Sequence, residues 1–277
     1  MKEKILKTLA ISFSVIALVI FVLCLFAGLF SGKLKNEEKS TVNPLSDRLE
    51  PESEIVKPEI IASTSWTAAF CDLAGADRIE IVAPCSMKHP PEYEITVSDI
   101  KKIEESPYFV YAGFERMMET LSSALEGPQM IQIQCTNAVS VVSSQAMKIA
   151  SFLGTEDVCE ERVMEYINVI NEGKIALEKK YPEGASVFCN KNQLPLAKEL
   201  GFKIAGVFGP GEITSDNMLF VKKNKIDFII DNVHNPVGRG LTELSSSKYV
   251  VWRNFPESVK RAALCQMVQK NIDSLGL

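Results

Sequence analysis

Histidine is scarce in this chain. Only His89 and His234 among its 277 residues are histidines, so general acid-base catalysis near neutral pH has few groups available. The sequence also lacks the Gly-x-x-x-x-Gly-Lys-Ser/Thr, Gly-x-Ser-x-Gly, His-Glu-x-x-His and Gly-x-Gly-x-x-Gly motifs. These motifs mark common nucleotide-binding, serine-hydrolase and zinc-protease sites. We therefore predict that the protein is not an enzyme.

Positive charge is limited as well. The formal net charge is -5 and the pI is about 5.3, and lysine and arginine form no continuous stripe, which argues against a nucleic-acid partner. Residues 206–211 are glycine-rich and precede a predicted helix, which is a pattern that can hold an anion. Pro210 removes an amide donor from this stretch, so we interpret it as a turn.

The cysteines do not form a Cys-x-x-Cys pair or a tight cluster. Beyond residue 58 they are Cys71, Cys85, Cys135, Cys159, Cys189 and Cys265. An even number permits three disulfides in an exported body, whereas isolated cysteines are commonly buried thiols. The spacing favours structural thiols and leaves the disulfide alternative open.

One long apolar run is present near the start of the sequence. Residues 9–30 are 22 consecutive uncharged residues that follow three lysines, which predicts a membrane span. A cleaved signal peptide, a lipid on Cys24 and a buried core helix are the alternatives. We expect residues 1–31 to be a membrane anchor or uncleaved signal, and the polar residues 32–58 to be a flexible tether. Lysines flank the run on both sides, so charge does not settle its orientation.

The remaining residues alternate between strand and helix patterns. We predict an α/β fold in which residues 59–154 and 182–277 form two lobes of parallel-type sheet flanked by helices, with a cleft between the lobes. One long backbone helix, residues 155–181, joins them, and its apolar stripe contains Val163, Ile167, Ile170 and Leu177. A closing amphipathic helix is predicted over residues 257–275.

Three stretches of the sequence carry a family resemblance. They are Ile61-Ala62-Ser63 at the end of the first strand, Gly75-Ala76-Asp77-Arg78-Ile79-Glu80 before the second, and Glu94-Ile95-Thr96-Val97-Ser98-Asp99-Ile100-Lys101-Lys102-Ile103 after the loop that holds His89. In order and spacing, the chain from about Ile60 onward resembles the zinc- and manganese-type metal-binding solute receptors of ABC importers. The resemblance implies a monomeric extracytoplasmic body, tethered to the cell membrane by a single N-terminal span. It also implies an ABC permease as partner, and a solute or divalent metal such as zinc as the transported ligand.

Most histidines that the resembled family uses as metal ligands are absent here. The positions that remain for a metal are His89, Cys135, Cys189 and Asp231, which would form a soft mixed site suited to zinc. Alternatively, the two cysteines are plain strand-end thiols. The resemblance thus implies a metal receptor with an altered ligand set.

Polar residues near the strand ends are also expected to line the cleft. These ligand-binding residues are Glu94, Glu115, Asn137, Asn190 and Asp231. They leave three alternatives to metal transport open: a receptor for an organic or chelated solute, a small-molecule enzyme that uses the same cleft, and a scaffold with no small ligand.

Overall fold

Two parallel sheets of four strands each form the framework of the described residues. The computed structural model describes residues 59–121, 125 and 127–277, and these residues lie in one compact unit. The strands of the first sheet are β1 (Glu59–Ala62), β2 (Arg78–Ile81), β3 (Tyr108–Tyr111) and β4 (Gln129–Gln132), and those of the second are β5 (Ser186–Asn190), β6 (Lys203–Phe208), β7 (Phe228–Asn232) and β8 (Lys248–Trp252). The strand orders β2-β1-β3-β4 and β6-β5-β7-β8 are equivalent, so the two lobes share one topology.

Helices connect the strands and cover the sheets. They are α1 (Ser65–Leu73), α2 (Val97–Glu104), α3 (Met117–Leu121), α4 (Val139–Leu153), α5 (Glu156–Lys180), α6 (Leu194–Glu199), α7 (Ser215–Lys223) and α8 (Ala263–Asp273), with short 3-10 turns at Pro90–Glu92, Lys191–Gln193 and Arg239–Leu244. Capping boxes begin α1 at Thr64, α2 at Thr96 and α7 at Thr214. Each box satisfies amide groups that a helix start leaves free.

The long helix α5 connects the lobes. Its 25 residues bury Cys159, Val163, Tyr166, Ile170 and Leu177, at the three- and four-residue spacing of one helical face. The stripe predicted from the sequence is correct at Val163, Ile170 and Leu177. Ile167 is only partly buried, and the fully buried side chain at this level is that of Tyr166.

The largest apolar core runs through both lobes along α5. It includes β1 side chains such as Ile60, β7 side chains such as Phe228, and α8 side chains such as Val268. Smaller clusters cover the opposite faces of the sheets, one around Phe109 and one around Phe188. The central core therefore joins the two lobes into one packed body.

The predicted fold class is confirmed: the protein is α/β, with two lobes of parallel sheet and a long connecting helix. The closing helix is shorter than predicted, because residues 257–262 are not helical and α8 begins at Ala263. Within the described ranges no helix is long and apolar enough to cross a membrane. The predicted span, residues 9–30, and the predicted tether, residues 32–58, lie outside those ranges.

Candidate functional site

A pocket of about 410 Å³ lies where the carboxyl ends of both sheets meet. Its lining is drawn from segments that follow strands of both lobes: Thr64, Trp66, Pro90, Pro91, Phe114, Cys135, Thr136, Lys191, Asn192, Pro195, Asn254 and Phe255. Parallel α/β sheets bind their ligands at these strand ends. The volume is within the usual range for small-molecule pockets, so we take this pocket as the candidate site.

Aromatic rings form one wall of the pocket. The ring centroids of Trp66 and Phe255 lie 5.8 Å apart, with a tilt of 33°, and His234 stacks on Phe255 at 4.1 Å. The hydroxyl of Ser65, next to Trp66, donates a 2.7 Å hydrogen bond to the carbonyl of Pro256. That bond holds the Phe255 segment of the second lobe against the start of α1 in the first.

Two of the lining residues each have a buried polar atom with no hydrogen-bond partner within the described part of the chain. Trp66 Nε1 is a donor, and Asn254 Oδ1 is an acceptor. Asn254 is only 7% exposed, and its own carbonyl accepts a 3.1 Å bond from Asn137 Nδ2 across the lobes. Since buried polar groups are nearly always paired in native proteins, these two residues have hydrogen-bonding capacity that the described residues leave unused.

The electrostatics of the lining are those of an anion site. Among the described residues of the lining, Lys191 is the only charged side chain, and none of them is an aspartate or a glutamate. Lys191 is exposed and has no ion pair with the residues that the structure describes. Thr64, the N-cap of α1, also lines the pocket, so the positive end of that helix dipole lies at the site.

Cys135 is the one predicted metal ligand that reaches the pocket. Burial, with a smaller contribution from the charge of Glu115, raises the pKa of its thiol well above the ordinary value. The thiol is therefore protonated at neutral pH, whereas metal binding requires the thiolate.

Asp231 lies at the end of β7, where it organises a loop. Its Oδ1 accepts from Asn190 Nδ2 at 3.3 Å and from the Asn232 amide at 2.7 Å, and its Oδ2 accepts from the Gly238 amide at 2.5 Å and from the Tyr249 hydroxyl at 3.0 Å. Asp231 is fully buried. Both of its oxygens already accept hydrogen bonds from protein donors, so Asp231 has a structural role in this loop.

Cys189 lies on the other face of the same sheet. Its side chain belongs to the central core, with Val187, while the next residue along β5, Asn190, donates to Asp231. Successive strand residues face opposite sides of a sheet, so Cys189 and Asp231 point apart. Burial raises the pKa of the Cys189 thiol to about 12.

The four predicted metal ligands are thus not assembled into one site in this structure. His89 is exposed in the loop before Pro90, Cys135 lines the pocket, and Cys189 and Asp231 lie on opposite sheet faces. Across residues 59–121, 125 and 127–277, no group of three or more His, Cys, Asp and Glu side chains is placed to hold a metal ion. The cysteines Cys71, Cys85, Cys135, Cys159, Cys189 and Cys265 are all free thiols.

The residues predicted to line the cleft lie close to the pocket but do not form its lining. Glu94 is exposed and pairs with Arg116 at 3.0 Å. Glu115 is buried and accepts from the Ser63 hydroxyl and from the amides of Ala112 and Gly113. These two carboxylates fix loops around the site.

The two asparagine side chains predicted to line the cleft also lie outside the pocket lining. Asn137 is buried behind Asn254, and its Oδ1 has no partner among the described residues. The Oδ1 of Asn190 accepts from the Asn192 amide, which shapes the turn that carries Lys191.

His234 connects the lobes next to the aromatic wall. Its Nδ1 lies 3.1 Å from the carbonyl of Lys88, and a carbonyl can only accept, so Nδ1 carries the hydrogen and Nε2 has the lone pair. Nε2 is buried with no partner in the described ranges. Burial, followed by the positive charge of Arg253, lowers the pKa of His234 to about 4.

Sequence reasoning missed the aromatic and cationic lining: Trp66, Phe114, Lys191 and Phe255. Trp66 could have been identified, because it is one of two tryptophans in the chain and directly follows the Ser63-Thr64-Ser65 turn. Phe255 could not, because its contact with Trp66 joins segments almost 200 residues apart.

Comparison with known proteins gives matches at the level of structure. No family model matches the chain, and no curated protein sequence matches it. The Ni²⁺ complex of the solute-binding protein FpvC from Pseudomonas aeruginosa is 15% identical, covers 79% of this chain and 96% of its own, and has a TM-score of 0.62. The Mn-bound periplasmic metal-binding protein from Candidatus Liberibacter asiaticus is 16% identical, with coverages of 79% and 98% and a TM-score of 0.60.

The Cd-bound form of the Liberibacter protein gives the same identity and TM-score. At these identities the likeness concerns the fold. The chain therefore has the two-lobed fold of periplasmic metal-binding solute receptors.

Proposed function

We propose that this protein is the extracytoplasmic solute-binding component of an ABC importer and that it carries its solute in the pocket between the lobes. The observation that carries the proposal is the pocket itself, which both lobes line at the carboxyl ends of both parallel sheets. One similar structure is named as a solute-binding protein and another as a periplasmic metal-binding protein, which supports a receptor rather than an enzyme.

The proposed cargo is an organic or chelated solute, which makes this a metal-receptor fold with an altered ligand set. A volume of about 410 Å³ is more than tenfold the roughly 10–15 Å³ that one buried water needs, and far more than a bare ion fills. The wall combines three aromatic rings with hydroxyl and amide groups, the usual composition of small-molecule sites.

A bare transition metal is the second candidate cargo, because the similar structures hold nickel, manganese and cadmium. To bind at His89, Cys135, Cys189 and Asp231, the ion would have to displace protons from two thiols of raised pKa. It would also have to bring together side chains from opposite faces of the second sheet.

The proposed location is the outer face of the cell membrane. Residues 1–31 would anchor the chain and residues 32–58 would let the body reach its permease. The partner would be an ABC permease, and the receptor would act as a monomer. A 25-residue helix shared by both lobes favours a small hinge movement on capture and release.

Native mass spectrometry tests this proposal. The full chain is purified in detergent without chelators, and the bound mass is identified together with the elemental content. We expect one small molecule per chain, released unchanged on denaturation. Release of a chemically altered molecule on incubation would point to the enzyme alternative, and a pocket that takes up neither solute nor metal would contradict the receptor proposal.

A further inference from the structure

We propose that the pocket selects an aromatic anion that carries a hydrogen-bond donor, such as a hydroxylated aromatic carboxylate, either free or as the ligand shell of a metal chelate. The inference rests on the proposed function and specifies its cargo. It derives from four features of the described lining residues: an aromatic wall, a cation with no ion pair among the described residues, a helix N-terminus, and two residues whose buried polar atoms have no partner in the described ranges.

The aromatic wall selects a flat ring. The ring centroids of Trp66 and Phe255 lie 5.8 Å apart, and Phe114 also lines the pocket. Phe114 is 57% exposed, although aromatic side chains are usually buried. A ring bound among these side chains would cover apolar surface that otherwise faces water, and aromatic pairs add a further favourable contact.

The charge balance selects an anion. Lys191 is the one charged side chain among the described lining residues, and the buried carboxylates of Glu115 and Asp231 already accept hydrogen bonds from protein donors. The N-cap residue Thr64 places the positive end of α1 at the same pocket. A carboxylate or phenolate in the pocket would therefore meet positive potential from two directions.

The unpaired polar atoms define the remaining groups of the cargo. Trp66 Nε1 needs an acceptor, which an anionic oxygen supplies. Asn254 Oδ1 needs a donor, which a hydroxyl or N-H group supplies. Asn254 is more than nine-tenths buried and lines the pocket, so an apolar cargo would leave its oxygen without a hydrogen bond.

Isothermal titration calorimetry of the full chain in detergent tests this cargo class with three probes. 2,3-Dihydroxybenzoate has the ring, the anion and the donors, catechol lacks the carboxylate, and malonate lacks the ring. We expect dihydroxybenzoate to bind with a Kd below about 1 mM and at least tenfold more tightly than either other probe.

Two variants locate the interaction. Lys191→Gln should weaken dihydroxybenzoate binding at least tenfold, a loss of about 1.4 kcal/mol, and leave catechol binding unchanged. Trp66→Phe keeps a ring but removes Nε1, and should weaken dihydroxybenzoate binding at least threefold. Lys198→Gln is the matched control, because Lys198 is an exposed lysine on α6 outside the lining, and it should bind like the wild type.

The outcomes separate this inference from the proposed function. Dihydroxybenzoate binding that is absent, or that is unchanged in Lys191→Gln, overturns the inference. If native mass spectrometry still finds a solute of another class on the same chain, the receptor proposal stands alone. If neither experiment finds a ligand, both proposals fail.

Discussion

At the scale of single residues, the segment before α8 contains a strained position. Ala262 is the one non-glycine residue within the described ranges that has a left-handed backbone, with φ at 58°. Its amide donates to Asp72 Oδ2 at 2.8 Å. The contact with Asp72 therefore holds the chain in a conformation that alanine disfavours by about 1–2 kcal/mol.

We expect Ala262→Gly to stabilise the protein. Glycine adopts positive φ without a steric penalty, although its greater freedom in the unfolded chain offsets about 0.5–1 kcal/mol of the gain. The melting temperature should rise by about 2–4 °C for each kcal/mol gained in a body of this size. Ala263→Gly, one residue later and inside α8, is the control and should lower the melting temperature.

His234 should make stability depend on pH. Its pKa in the folded protein is about 4, below the ordinary 6.5, so as the pH falls the unfolded chain takes up a proton before the folded protein does. The stabilisation linked to neutral His234 is complete above about pH 6.5 and is lost between there and about pH 4. The charged groups that act on the ring are Arg253, His89 and Glu257.

The test compares melting temperatures at pH 7 and pH 5. His234→Asn cannot titrate in this range, so its melting temperature should fall less than that of the wild type. His89→Asn removes the other, exposed histidine and should leave most of the wild-type difference in place, because burial and Arg253 lower the pKa of His234 more than His89 does. An equal fall for wild type and His234→Asn would show that other groups cause the acid sensitivity.

At the scale of elements, two isoleucines of α5, Ile167 and Ile170, provide a matched pair. Ile170 is 2% exposed in the central core, whereas Ile167 only packs against the edge of that core. Ile170→Asp places an unpaired carboxylate in the core and should cost more than about 3 kcal/mol of unfolding free energy. Ile167→Asp should cost about 1–2 kcal/mol, as measured by urea denaturation. Equal losses would mean that α5 presents a different face to the core.

Local chemistry decides where some elements begin and end, and such bounds can be read from the sequence. The box between Thr96 and Asp99 begins α2, and Gly154, with φ at 68°, ends α4. The start of α8 could not be predicted, because the contact between Asp72 and Ala262 joins residues 190 positions apart.

The site was harder to predict than the elements, and β5 and β7 show why. Cys189 and Asp231 were both recognisable as strand-end residues, but their roles depend on which sheet face each side chain takes. A shift of one residue reverses that face. The strand register pairs Cys189 with Ile230 in β7, so these two side chains share one face of the sheet. Asp231 lies on the other face, where it bonds to Asn190. Sequence spacing alone does not give this register.

At the scale of the whole molecule, the proposed boundary between the anchor and the rest of the chain has a direct test. Removal of residues 1–32 should give a soluble, folded protein, because the cores described above begin at Ile60. Circular dichroism and a cooperative thermal transition would verify it. An insoluble or unfolded product under both reducing and oxidising conditions would contradict the boundary, since all six described cysteines are free thiols.

Direct bonds also join the lobes away from the core. Near the pocket, Ser65 binds the carbonyl of Pro256, and Asn137 binds that of Asn254. On the far side of α1, Asp72 contacts Arg261 at 3.7 Å and Arg162 of α5 at 3.3 Å. These contacts therefore join the two lobes near both ends of α1.

The Asp72 contacts should contribute more to the unfolding free energy than other ion pairs nearby. The side chains of Asp72 and Arg162 are 7% and 13% exposed, and loss of one member of a buried pair costs about 3–5 kcal/mol when the other charge is left uncompensated. Arg162 would keep its contact with Asp77, so the lower end of that range applies. Asp72→Ala would remove the partner of two guanidinium groups and of the Ala262 amide.

We therefore expect Asp72→Ala to lower the unfolding free energy by about 3 kcal/mol and to speed hydrogen exchange at the Ala262 amide, because the second-lobe segment loses its anchor on α1. Asp77→Ala is the matched control: Asp77 also contacts Arg162, at 3.1 Å, but its side chain is 39% exposed, and exposed pairs contribute at most about 1 kcal/mol. Urea denaturation measures the first effect, and exchange mass spectrometry the second. If both variants lose the same stability and neither speeds exchange at Ala262, then the lobes are held together by the central core and the pocket contacts alone.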